Sequence, residues 1–133
     1  MVLDGNFLIV DDEVVIRKII ANFLKKAGYV HFDTAEDGVQ AIEALKNNEI
    51  DIIIADWNMP NLNGLALLDR VRENERWKKI PFIMLTAEAH EDNVMVAGLH
   101  KATDYIVKPF TADTLLKKVA KALGNSEAFK IKK

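Results

Sequence analysis

The chain has 133 residues, half of them hydrophobic, and its 18 Lys plus Arg against 20 Asp plus Glu give a formal net charge of -2. A chain of this length builds one domain whose core needs no disulfide or metal staple, and the charge balance argues against a nucleic-acid partner or a polybasic membrane anchor. Cysteine is absent, which excludes disulfide frameworks, thiolate zinc sites, iron–sulfur clusters and cysteine nucleophiles. No apolar run approaches the roughly 18 residues of a membrane span, and the opening residues lack the basic flank of a signal peptide, so a cytoplasmic domain is expected. The expected division is one domain over 1–124 and a short tail over 125–133.

Taken in chain order, Phe7 to Val10 predicts a first strand, short and apolar like strands buried on both faces. Ile16, Ile19, Ile20 and Phe23 follow at helical spacing, and Gly28 ends that helix. Val30 to Thr34 is the second strand; Val39, Ile42 and Leu45 mark the second helix. Ile52 to Ala55 is the third strand, and Leu65, Leu68 and Val71 mark the third helix. Ile80 to Leu85, broken by Pro81, is the fourth strand, and a weaker helix spans Val94 to Leu99. Tyr105 to Val107 closes the set of strands, and Leu116, Val119, Ala120 and Leu123 form a last helix stopped by Gly124.

Alternation of strand and helix five times specifies an α/β fold, a doubly wound (βα)5 parallel sheet, because each parallel pair needs a right-handed crossover. The flavodoxin-like order 2-1-3-4-5 is the expected one, with ligands beyond the carboxyl ends of the strands at the switch between strands 1 and 3. Strand 1 ends in Asp11-Asp12, strand 3 in Asp56, strand 4 in Thr86 and strand 5 in Lys108. Four strand ends thus deliver polar or charged groups to one rim.

Three carboxylates on one edge repel each other, and proton uptake or a cation relieves the repulsion. Oxygen ligands of this kind favour Mg²⁺, which keeps waters and phosphate oxygens in its shell. Asp56, alone at the middle strand's end, is the better nucleophile, forming an aspartyl phosphate; Asp11 and Asp12 look like ion holders, and Lys108 and Thr86 stabilise phosphoryl oxygens. Each residue also has a plain structural explanation. Asp12 or Thr86 could cap a helix, Asp56 could open a turn, and Lys108 could be a solvated surface lysine. Convergence on adjacent strand ends favours the chemical explanation. His31, His90 and His100 lack metal-ligand spacing, Trp57 and Trp77 read as packing or partner residues, and no Gly-rich phosphate loop follows strand 1. A metal-dependent phosphatase would carry a second Asp two residues beyond its nucleophile, where Asn58 stands, and a flavin carrier would be yellow.

Val10-Asp11-Asp12, Asp56-Trp57-Asn58-Met59-Pro60-Asn61 with Gly64, Leu85-Thr86-Ala87-Glu88-Ala89 and Tyr105-Ile106-Val107-Lys108-Pro109-Phe110-Thr111 together resemble the receiver domain of bacterial response regulators, of the single-domain chemotaxis type. The resemblance implies phosphoryl transfer from a sensor histidine kinase to Asp56. It further implies Mg²⁺ held by Asp11, Asp12, Asp56 and the Asn58 backbone carbonyl, with Lys108 beside the phosphoryl group. Thr86 and Tyr105 would be switch residues, Asn58 and Glu88 would tune dephosphorylation, and Lys108-Pro109 would be cis. The implied protein is a stand-alone, monomeric switch that catalyses only its own phosphorylation and dephosphorylation. Phosphorylation would reshape the surface of the fourth helix, fifth strand and fifth helix toward a target protein, the flagellar motor switch being the usual one; another target or a phosphate-sink role is the alternative. Two departures stand out: Lys101 replaces the usual glycine after the fourth helix, which should end without its left-handed glycine and with a shifted or mobile C-terminus, and His90-Glu91-Asp92 replaces a basic start to that helix.

Overall fold

The computed structural model describes residues 3–87 and 96–124. Strands β1 (Leu3–Val10), β2 (Tyr29–Ala35), β3 (Ile52–Asp56), β4 (Phe82–Thr86) and β5 (Asp104–Val107) form one sheet in the order β2-β1-β3-β4-β5. Every pairing is parallel, as the alternation of the sequence requires. Helices α1 (Val14–Ala27), α2 (Gly38–Asn47) and α3 (Gly64–Glu73) supply crossovers, and α5 (Ala112–Ala122) follows the last strand. Residues 96–99 are helical and are labelled α4.

Because side chains alternate across a strand, the apolar strands feed two cores. Leu8, Val10, Ile53, Ala55, Phe82 and Met84 face α2 and α3, whereas Phe7, Ile9, Ile52, Ile54, Ile83 and Leu85 face α1 and α5. β3, buried along its whole length, is the middle strand and holds its terminal Asp56 at a fixed height on the rim.

Most of the expected helical stripes are buried, with Ile20, Leu45, Leu68, Val71, Val119 and Ala120 in the core, but two members turn outward and neighbouring residues lie deeper. Ile19 is 37% exposed and Val39 58% exposed; Ile20 with Leu24, and Ala41 with Leu45, form the buried positions. Likewise Leu67 lies deeper than Leu65, and Leu115 deeper than Leu116. Neighbouring apolar residues at helical spacing admit two stripes, and sheet geometry selects between them.

The end of α4 also differs from expectation. Lys101 itself adopts the left-handed conformation, φ 69°. Its N–H donates to Gly98 O (3.0 Å) and the Ala102 N–H to Ala97 O (2.9 Å), the paired bonds of a Schellman cap. Arg72 on α3 supports this turn by donating to Lys101 O (2.9 Å) and Ile80 O (2.6 Å). The cap therefore forms without glycine, at a cost of about 1–2 kcal/mol for a side chain in that conformation.

Candidate functional site

Sheet register assembles the rim. Val10 pairs with Ala55, which puts Asp11 and Asp56 at the next level on neighbouring strands. The Asp11 N–H donates to Ala35 O of β2 (3.1 Å), and the Lys108 N–H donates to Thr86 O of β4 (2.8 Å). Main-chain pairing thus carries the sheet one step past its strands and aligns the polar ends.

Asp11, Asp12 and Asp56 each offer a carboxylate oxygen, all within 4.8 Å of one another. Asp11 is fully buried, Asp56 is 6% exposed, and Asp12 is exposed. Lys108 Nζ donates to Asp11 Oδ2 at 3.0 Å and lies 3.2 Å from Asp56 Oδ1, so its solvated-surface explanation fails. Asp12 does not cap α1 either: Glu13 holds the N-cap position, with no side-chain capping bond. Asp11 is held by the Glu13 N–H (2.9 Å) on its Oδ1 and by Arg17 Nη1 (2.6 Å) on its main-chain oxygen.

Burial raises the Asp56 pKa first, and the charges of Asp11 and, less, Asp12 raise it further, against the lowering pull of Lys108. For Lys108, burial alone would lower the ammonium pKa, but its hydrogen bond to Asp11 and the charges of Asp56 and Asp11 outweigh that and raise it. A cluster of three acids and one lysine is short of positive charge. An oxygen-only donor set that is partly buried and electrically undercompensated suits a hard divalent cation such as Mg²⁺.

Behind the acids, Thr86 is 5% exposed at the end of β4. Half-buried Tyr105 on β5 has Lys118 Nζ 4.7 Å from its ring centroid. Asn58 lies exposed in the β3–α3 loop, and the Lys108–Pro109 bond is cis. Glu88, expected to tune dephosphorylation, and the His90-Glu91-Asp92 departure lie outside the described residues, as does the tail 125–133. Trp77 is 7% exposed in the core and Trp57 packs against it, which fits their packing role. No described helix is long and apolar enough to cross a membrane.

Sequence reasoning quoted Gly64 only as part of a motif, without its packing role, and missed Gly38 and Asp37. A Cβ on Gly64 would sit 2.2 Å from Asp56 O, and one on Gly38 2.6 Å from Leu62 O, so both positions require glycine for close approach. Asp37 caps α2 by accepting from the Gln40 N–H (2.8 Å); Asp followed by Gly at the head of a helical stripe was the available signal.

The profile of the response regulator receiver domain matches residues 7–120. The chemotaxis protein CheY of Pseudomonas aeruginosa is 42% identical over 114 residues, 86% of this chain and 92% of that protein. The structure of the chemotaxis response regulator CheY4 of Vibrio cholerae superposes with a TM-score of 0.84 at 34% identity, covering 90% of this chain and 99% of that one. The receiver domain of the sensor histidine kinase PA1611 from Pseudomonas aeruginosa, solved with a magnesium ion coordinated in its active-site cleft, gives 0.82 at 27% identity, covering 92% and 99%. The chain therefore belongs to the response regulator receiver domain family, the signalling switches of two-component systems.

Proposed function

We propose that this receiver accepts a phosphoryl group on Asp56 from a histidine kinase of a chemotaxis-type phosphorelay, with Mg²⁺ held by Asp11, Asp12, Asp56 and the Asn58 main-chain carbonyl. The observation that carries it is the Lys108 ammonium between the Asp11 and Asp56 carboxylates at the sheet's carboxyl edge. An Asp56 carboxylate oxygen forms the new O–P bond as the donor's N–P bond breaks, the electron pair leaving with the imidazole nitrogen. Lys108 is positioned to follow the charge as it moves from the carboxylate to the phosphoryl oxygens. Bound Mg²⁺ supplies further positive charge for those oxygens. The raised pKa of Asp56 marks a carboxylate whose charge is poorly compensated and which gains from cation binding.

Signal output then runs through Thr86 and Tyr105. Thr86 hydrogen-bonds a phosphoryl oxygen, Tyr105 moves inward behind it, and the α4–β5–α5 surface changes toward a downstream protein. The chemotaxis relatives make the flagellar motor switch the first target to test. Acetyl phosphate with Mg²⁺ should add one phosphoryl group to the wild-type chain and none to Asp56→Asn. Equal labelling of the variant would overturn the assignment.

A further inference from the structure

The buried polar residues among those described are Asp11, Asp37, Asp56 and Thr86. Asp11, Asp56 and Thr86 line the acidic site, and Asp37 does not. It follows β2, whose last residue accepts the Asp11 N–H, so it stands beside the site without facing it.

A helix cap needs one carboxylate oxygen, and Asp37 uses its Oδ1 for the Gln40 N–H. Its Oδ2 accepts from Asn61 Nδ2 at 2.6 Å, across 24 residues of sequence. Asn61 sits in the β3–α3 loop in the left-handed conformation, φ 67°. The next residue is tied to the same helix end, because the Gly38 N–H donates to Leu62 O at 3.0 Å, and Gly38 has no room for a side chain there. At the loop's far end the Gly64 N–H donates to Trp57 O at 2.9 Å. Asn58 lies inside the segment pinned at these points.

We propose that Asp37 is a positioning residue for the acidic site: with Asn61 it pins the β3–α3 loop to the head of α2 and so sets the height of the Asn58 main chain at the cation-binding edge. The proposal rests on the Mg²⁺ site proposed above. The Gln40 N–H first and Asn61 second hold the Asp37 carboxyl pKa below its ordinary range, keeping both oxygens available as acceptors. Mg²⁺ tolerates little departure from octahedral geometry, and groups that orient its ligands typically change affinity by about 10–100-fold.

Titration calorimetry with MgCl₂ on the full chain tests this with five variants. Asp37→Ser keeps an α2 cap but is too short to reach Asn61; Asn61→Gly keeps the left-handed backbone but removes the tether. Each should weaken Mg²⁺ binding by roughly tenfold, and the double variant should lose no more than either single one, because both remove the same link. Asp37→Asn, able to cap α2 and pair with Asn61 through a turned amide, should keep wild-type affinity. A merely structural cap would lower the melting temperature without this pattern. Wild-type affinity in both single variants, or an Asp37→Asn loss equal to that of Asp37→Ser, would overturn the positioning role alone. Binding by the wild type that Asp12→Asn leaves unchanged would overturn the underlying site as well.

Discussion

Replacing Asp56 with Asn should stabilise the metal-free protein, although it removes the proposed phosphoryl acceptor. The acid oxygens lie within 4.8 Å of one another, and at that distance each like-charge pair costs about 3.5 kcal/mol at an effective dielectric of about 20. The substitution removes the repulsions with Asp11 and Asp12. It also removes the attraction to Lys108, whose Nζ is 3.2 Å from Asp56 Oδ1 and which is worth about 5 kcal/mol at the same dielectric. The balance favours Asn by about 2 kcal/mol, falling to about 0.4 kcal/mol at the dielectric of water. Relief from burying a carboxylate charge adds to it, so about 1–2 kcal/mol is expected.

The pH dependence follows from the raised Asp56 pKa. An acid whose folded pKa is raised binds its proton more tightly in the native state, so the wild type loses stability as pH rises from the unfolded value of about 3.9 through the folded one. The variant's advantage should therefore be full at neutral pH and vanish below the unfolded value, where wild-type Asp56 is protonated in both states. Urea denaturation in EDTA at both pH values measures it. With saturating Mg²⁺ the order should narrow or reverse, since a ligand bound only by the native state adds stability by mass action. A variant less stable than wild type in EDTA at neutral pH would refute the charge accounting.

Lys108→Met should destabilise the metal-free protein by about 3–5 kcal/mol, the usual result of leaving buried charges without their partner; adding Asp56→Asn should recover part of the loss in the same denaturation assay. Lys101→Gly should stabilise by roughly 0.5–1 kcal/mol, the relief of left-handed strain less the greater freedom of unfolded glycine, read as a higher urea midpoint. Gly64→Ala, whose Cβ would meet Asp56 O at 2.2 Å, should cost about 1–3 kcal/mol by overpacking and slow labelling by acetyl phosphate, because the backbone that must yield is that of the acceptor itself.

Strand order and the acidic rim were legible because they rest on strong local signals: short apolar runs, each ending in a charged or polar residue at one edge of a parallel sheet. The helix faces were less so. Ile19 beside Ile20 and Leu115 beside Leu116 satisfy helical periodicity in more than one rotation, and tertiary packing makes the choice. Lys101 shows another limit: a helix cap can form around a lysine when the turn is held from outside, as Arg72 holds it here. The tether of Asp37 was hidden because its partner Asn61 is 24 residues away, a pairing that no local pattern encodes. The contact between Gly64 and the Asp56 backbone is equally a product of folding, visible only once α3 lies against β3.

Phosphopeptide mapping after incubation with acetyl phosphate most directly tests the claim that the rim is a phosphoryl-accepting site centred on Asp56. The fragment spectrum should place a single, Mg²⁺-dependent phosphoryl group on Asp56, with none when Mg²⁺ is chelated. A phosphoryl group on Asp11, Asp12 or any histidine, or labelling of Asp56 that ignores Mg²⁺, would contradict the account.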